Sequence, residues 1–291
     1  MSEAGLLFSR ANRSFRVEPG CALAQDEDGT RSRRQTTFEV LTELAHVHPP
    51  AQRTLEILEP HRQRYKLRTG SFRSFLDLLI QYGFGSEVFN GLTRTEMQAA
   101  CQRVVAREGD RSHIFTRELS RAAHAIKIPR VLVSGSYTEL IELIAKREGV
   151  DIVCATQMEH VNGVYTGEIL SLPVKDKGAA LAGVAEEHGF SLEKSIYIGD
   201  SPGDFLAWKR VGYPVIINPK EPSVWRFACE IGALVVVEKG ESISFFMVNE
   251  RGNPERVRLS AGLPQPLAWL VEREIAQYLD YEVAAISPCS V

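Results

Sequence analysis

The sequence predicts an α/β protein built on a doubly wound parallel sheet. Short apolar runs alternate with helical patterns from Ala22 onward. The runs are continuous rather than polar–apolar alternating, as strands buried on both faces require. Helical stretches at 137–147 and 178–188 lie between consecutive runs, and each is followed by a glycine, Gly149 and Gly189, that can end a helix. Strand, helix and strand in that order make βαβ units, with helices on both faces of the sheet.

The elements follow in chain order. Strands are expected at 21–25, 131–134, 151–156, 195–199, 214–218 and 233–237. The interval from Asp26 to Ser134 is far longer than one crossover needs and reads as helical. A helix at 36–45 continues from the first strand. Another at 72–80 carries Phe72, Phe75, Leu76, Leu79 and Ile80 on a broad apolar face. Thr93-Arg94-Thr95-Glu96 fits a capping box that opens a helix to about residue 107, and a helix at 115–125 leads back to the sheet. Between Ser134 and Lys177, Asn162-Gly163 marks a hairpin turn. Near the end, 242–248 and 256–260 read as a second hairpin. Residues 266–279 read as an amphipathic helix whose Leu267, Trp269, Leu270, Ile275 and Leu279 must pack on the core or a partner.

Composition narrows the function. The net charge of −3 offers no basic field for nucleic acid. No apolar run approaches the roughly 20 residues of a membrane span. Residues 1–19 read as a partly ordered tail, because Arg10, Arg13 and Arg16 follow Leu6-Leu7-Phe8, whereas a signal peptide has its basic end first. The five cysteines are scattered without a C-x-x-C pair, so reduced thiols and a cytoplasmic location are expected. His46 and His48 flank Val47 without ligand spacing and read as surface residues.

Four segments carry the chemistry. Asp26-Glu27-Asp28-Gly29-Thr30 follows the first strand, and its two aspartates point the same way. Either carboxylate can act as a nucleophile, handle a proton or hold a cation, although Asp-x-Asp-Gly also occurs in solvated turns. Val131-Leu132-Val133-Ser134-Gly135-Ser136 ends a strand in hydroxyls ahead of a helix, where amides can bind phosphate. Lys175-Asp176-Lys177-Gly178 opens a helix. Ile196-Tyr197-Ile198-Gly199-Asp200-Ser201-Pro202-Gly203-Asp204 ends a strand in an acidic loop. In this order they resemble the motifs of the haloacid dehalogenase-like superfamily, most closely its phosphoserine-phosphatase-like branch, over residues 22–219.

The resemblance implies a core of residues 20–34 and 127–238. It also implies a helical cap at 35–126 between the first two motifs, opening and closing over the site. Residues 239–291 are left as a hairpin-and-helix extension, a candidate homodimer surface. It implies a Mg²⁺-dependent phosphatase for a small phosphorylated metabolite. Asp26 is the nucleophile that becomes an aspartyl-phosphate, and Asp28 is the general acid and base. Lys177 offsets charge; it fits the family's Lys-x-x-x-Leu with Leu181, where Lys175 does not. Mg²⁺ ligands are Asp26, the Asp28 carbonyl and Asp200, with Asp204 supporting the metal's waters or Lys177. Ser134 and the Gly135 amide hold phosphate. Three departures stand out. Gln35 occupies a substrate-binding position where phosphoserine phosphatases carry a glutamate, leaving Glu39 or Glu43 as other sources of charge. Arg31, Arg33 and Arg34 replace apolar residues and suggest a solvated basic hinge or an anion-greeting patch. Gln25 precedes the nucleophile. Phosphotransfer to an acceptor hydroxyl, and a non-catalytic scaffold that keeps the fold, remain open.

Overall fold

The computed structural model describes residues 19–67, 69–108, 111–248 and 254–257. Residues 1–18 of the expected N-terminal tail, 258–260 of the expected second hairpin and the 266–279 helix lie outside them. Nine strands form one sheet: β1 Leu23–Gln25, β2 Arg130–Tyr137, β3 Ile152–Val161, β4 Val164–Ser171, β5 Ile196–Gly199, β6 Tyr213–Ile217, β7 Leu234–Lys239, β8 Ser242–Val248 and β9 Pro254–Val257. Their order is β4-β3-β2-β1-β5-β6-β7-β8-β9. The run from β3 to β7 is parallel, and β4, β8 and β9 add antiparallel edges. The chain leaves β1 toward β2 on one side and later returns to β5 on the other. The centre of the sheet is therefore a switch point, where ligands of open α/β sheets bind.

Ten helices are described: α1 Thr36–Ala45, α2 Pro49–Lys66, α3 Phe72–Leu78, α4 Ser86–Phe89, α5 Arg94–Glu108, α6 Ile114–Ala125, α7 Thr138–Glu148, α8 Lys177–His188, α9 Phe205–Trp208 and α10 Pro222–Ile231. A π turn, Leu79–Gly83, follows α3. The local signals act as expected. Thr93 and Glu96 close a reciprocal capping box on α5. Gly149 and Gly189 end α7 and α8 in the left-handed conformation. Asn162 and Gly163, at φ 52° and 79°, make the turn between β3 and β4.

β1 is apolar on both faces because both faces are covered. Leu23 packs with α6 residues Ile114, Phe115 and Leu119. Ala22 and Ala24 face Leu181 of α8, Trp208 of α9 and Val224 of α10. Sequence assigned α6 to the helical insertion, yet it packs on the sheet, since its apolar stripe matches the face β1 and β5 present. The other inserted helices share one apolar cluster with α7 and the β3–β4 hairpin, through Leu41, Leu58, Met97, Tyr137, Ile141 and Tyr165 among others. Backbone bonds add to that seam: Arg94 N–H to Gly163 O at 2.9 Å and Tyr165 N–H to Leu92 O at 2.8 Å.

Two linkers join the insertion to the sheet and bond to each other, His113 N–H to Arg31 O at 2.8 Å and Arg33 N–H to Arg111 O at 3.2 Å. Here both readings of Arg31 are corrected. It is buried, and its guanidinium forks onto Glu27 at 2.5 and 2.6 Å and reaches Ser112 at 3.1 Å. Arg33 pairs with Glu238 at 2.6 Å. Glu238 is buried at the N-terminus of α6 and also accepts from the Ile114 and Phe115 amides and bonds His113 Nδ1. Burial pushes its carboxyl up, but the bonds from His113, Phe115 and Arg33 outweigh it and hold the pKa at about 2.

Glu238→Ala is expected to lose roughly 1–3 kcal/mol at neutral pH, because the Ile114 and Phe115 amides are left buried without their acceptor. A lowered pKa stabilises above the unfolded value and loses that contribution as pH falls through the folded one. The gap from wild type in denaturant melts should therefore narrow from about pH 4.5 toward 2. A gap of constant size across that window would mean packing, not charge.

Candidate active site

The C-terminal ends of β1, β2 and β5 meet under the inserted helices. Asp26 follows β1 directly, and its N–H bonds Ile198 O at 2.9 Å, so its place is set by the sheet. The chain then turns at Gly29, φ 85°, where any Cβ would overlap the Asp200 carboxylate. Lys177 opens α8, whose N-terminus is capped by Asp176 accepting from Ala179 N–H at 2.8 Å. Its ammonium lies 2.7 Å from Asp26 Oδ1 and 2.8 Å from Asp204 Oδ1. Lys175 is exposed.

Asp204 is fully buried and saturated. Besides Lys177 it accepts from Tyr197 OH at 2.8 Å and from the Asp200 and Ser201 amides at 3.2 Å. Asp26, Asp200 and Asp204 offer oxygens within 4.8 Å of one another, the one group of this kind among the described residues. Burial opposes charge on Lys177, but Asp204 and Asp26 outweigh it and raise its pKa. Burial likewise pushes Asp26 well up, helped by Asp204 and Asp200 and opposed by Lys177. Burial lifts Asp200 to about 6 despite Lys220, whose Nζ lies 3.4 Å from Oδ2. Three buried carboxylates thus face one buried ammonium. An all-oxygen set with surplus negative charge fits a hard divalent cation such as Mg²⁺. Asp26 and Asp200 have oxygens to give it, while Asp204 is occupied with Lys177.

Asp28 opens partly onto a cleft. It accepts from Thr36 N–H at 2.8 Å, Thr36 Oγ1 at 2.6 Å and Thr37 Oγ1 at 3.2 Å, serving α1 as a cap where Gln35 makes none. Burial raises its pKa against these donors.

Ser134 and Gly135 reach the cleft, but not at a helix N-terminus as expected. β2 continues to Tyr137 before α7 begins, and Ser134 Oγ takes the Ser136 amide at 3.0 Å. Gly135 abuts Val174, where a Cβ would not fit. The buried Ser136 Oγ and Gln35 Oε1 have no partner among the described residues, and both residues line the cleft. Its volume is about 650 Å³, between the carboxylates and the inserted helices. Glu39 lines it, paired with Arg34 at 2.7 Å; Glu43 instead bonds Arg103 and Arg107 away from it. Sequence reasoning missed Tyr197, Lys220 and Tyr65. Only Tyr197 had a signal, as the polar residue inside a motif strand.

A family model described as haloacid dehalogenase-like hydrolase matches residues 25–209. The chain is 32% identical over 106 residues to the phosphoserine phosphatase of Streptococcus thermophilus, covering 36% of this chain and 49% of that one. It is 25% identical over 127 residues to the phosphoserine phosphatase of Methanocaldococcus jannaschii, covering 43% and 57%. The chain thus spans about half the length of these curated relatives. In fold it is similar to a protein of unknown function from Bordetella pertussis Tohama I, with TM-score 0.59, 19% identity, and 76% and 98% of the two chains covered. It is also similar in fold to a phospho-aspartyl intermediate analogue of phosphoserine phosphatase, with TM-score 0.53, 18% identity, and 76% and 95% covered.

The two loop aspartates should part company in metal-free buffer. Asp204→Asn is expected to lower stability by about 1–3 kcal/mol, since buried donors lose their acceptor. Asp200 has a raised pKa, so ionising it costs stability as pH rises through about 6. Asp200→Asn should then melt at or above wild type at neutral pH. Equal losses in both variants would contradict this division of labour.

Proposed function

The chain belongs to the haloacid dehalogenase-like hydrolase family, and on that premise we propose that it is a Mg²⁺-dependent phosphomonoester hydrolase acting through an aspartyl-phosphate on a small phosphorylated metabolite. One observation carries the reading: Lys177 lies between Asp26 and Asp204, and Asp26, Lys177 and an Asp28 seated on three donors all line one cleft.

An Asp26 carboxylate oxygen attacks phosphorus, and the ester P–O bond breaks. Asp28 gives its proton to the departing oxygen; burial supports a protonated Asp28 at the start. The carboxylate it leaves is received by Thr36 and Thr37, and then takes a proton from water as the water oxygen attacks phosphorus. The bond to Asp26 breaks and inorganic phosphate departs. Lys177, held charged, offsets the negative charge brought by the phosphate. Asp26, Asp200 and the Asp28 carbonyl would hold Mg²⁺, which when bound neutralises phosphate charge. Ser134 and Gly135 line the phosphate end of the cleft. Among the described residues no helix is long and apolar enough to cross a membrane.

Asp26→Asn is expected to abolish phosphate release while the chain stays folded, and chelation to abolish it reversibly. Asp28→Asn should slow alkyl phosphates by roughly 10²–10⁴-fold and activated aryl phosphates much less, because a good leaving group needs no proton. Equal loss on both would remove Asp28 from the acid role. Phosphoserine should be a poor substrate, improved selectively by Gln35→Glu, because an amide offers an ammonium no charge pairing. The specificity constant decides it, and phosphoserine ranking first in a panel would overturn the expectation.

A further inference from the structure

The cleft has a charged end at the carboxylates and an apolar wall away from them. Its volume of about 650 Å³ lies within the ~300–1,000 Å³ of sites for drug-sized ligands. One wall is a ladder of rings. Phe38 stacks on Phe75 at 5.7 Å, Phe75 on Tyr65 at 5.5 Å, and Tyr65 meets Phe72 at 5.8 Å. All four line the cleft together with Leu76 and Leu79. Phe38 and Phe75 are buried behind, while Tyr65, Phe72, Leu76 and Leu79 stay half-buried toward the open space. The π turn begins at Leu79; such turns occur mostly as single-turn bulges, frequently at functional sites.

Three ion pairs lie around this wall, while Lys66 and Glu221 line the cleft without one among the described residues. Arg34 pairs with Glu39 at 2.7 Å and Arg62 forks onto Glu59 at 2.6 Å, with its guanidinium over the Phe38 ring. Lys220 faces Asp200. Gln35 also lines the cleft; it is neutral, and its Oε1 is unpartnered. A charged body lying on the rings would compete with the Arg34–Glu39 and Arg62–Glu59 pairs, whereas a flat apolar one gains ring contacts without disturbing them.

We propose that the alcohol part of the substrate is a neutral, planar, apolar group lying against Tyr65, Phe72, Leu76 and Leu79. This rests on the phosphomonoesterase reading and extends it to the class of ester. The test compares esters of primary alcohols with similar leaving groups: 2-naphthylmethyl, benzyl and ethyl phosphate, with phosphoserine. The specificity constant is expected to be about tenfold or more higher for naphthylmethyl than for ethyl phosphate or phosphoserine. Phe72→Ala and Leu76→Ala should each shrink that ratio, chiefly by raising KM for the naphthylmethyl ester. Ethyl phosphate or phosphoserine turned over as well as the aromatic esters, or variants that leave the ratio unchanged, would overturn the inference while leaving the phosphatase reading standing. Phosphate release from none of the four esters would overturn both.

Discussion

A buried ammonium clamped between two buried carboxylates fixes everything around it. Lys177 must enter at the start of α8 to reach Asp26 at the end of β1 and Asp204 beyond β5. That requirement sets the register of the three elements and explains the neighbouring economy of side chains. Gly29 has no Cβ where Asp200 comes close, and Gly199 has none where Asp204 folds back. Tyr197 spends its hydroxyl on Asp204. Removing one partner from such a buried cluster strands the others, so the site is a structural element as much as a chemical one.

A second buried network does comparable service for the linkers. Glu27 stands between the two motif aspartates yet turns away from the cleft to hold Arg31. Glu238, at the far side of the sheet, holds Arg33, His113 and the first amides of α6. The two connections into the inserted helices are thereby tied to β1 on one side and β7 on the other. The position of the cleft's roof is inherited from the same strands that carry its floor.

The parallel strands were legible because each leaves a short continuous apolar run, and the connections carry residues of one purpose: Gly149 and Gly189 to stop helices, Asn162-Gly163 to turn. The carboxylates and Lys177 were legible because their motifs follow strands in a fixed order. What escaped reading has physical reasons. α2 buries only Ala51, Thr54 and Leu58 over eighteen residues, so it has hardly any apolar period, and two prolines at its start were its one signal. α6 shows its stripe plainly, but a stripe does not name its partner. Arg31 looked like a surface cation because its neighbours are arginines; the i,i+4 spacing to Glu27 was the available sign of a private pair. Lys220 and Tyr65 arrive at the cleft from distant segments, and nothing local marks them.

The seam between the inserted helices and the β3–β4 hairpin has a consequence for how the molecule comes apart. Its apolar cluster reaches from α1 to β4, and backbone hydrogen bonds join residues 91–94 to 163–165. An insertion joined to its host only at two linkers could melt first and leave the sheet standing. Here Tyr165 N–H bonds Leu92 O across the seam, so loosening one side loosens the other. Inserted helices and the neighbouring half of the sheet form one cooperative unit. Hydrogen exchange in α5 and in β4 would share a single opening free energy.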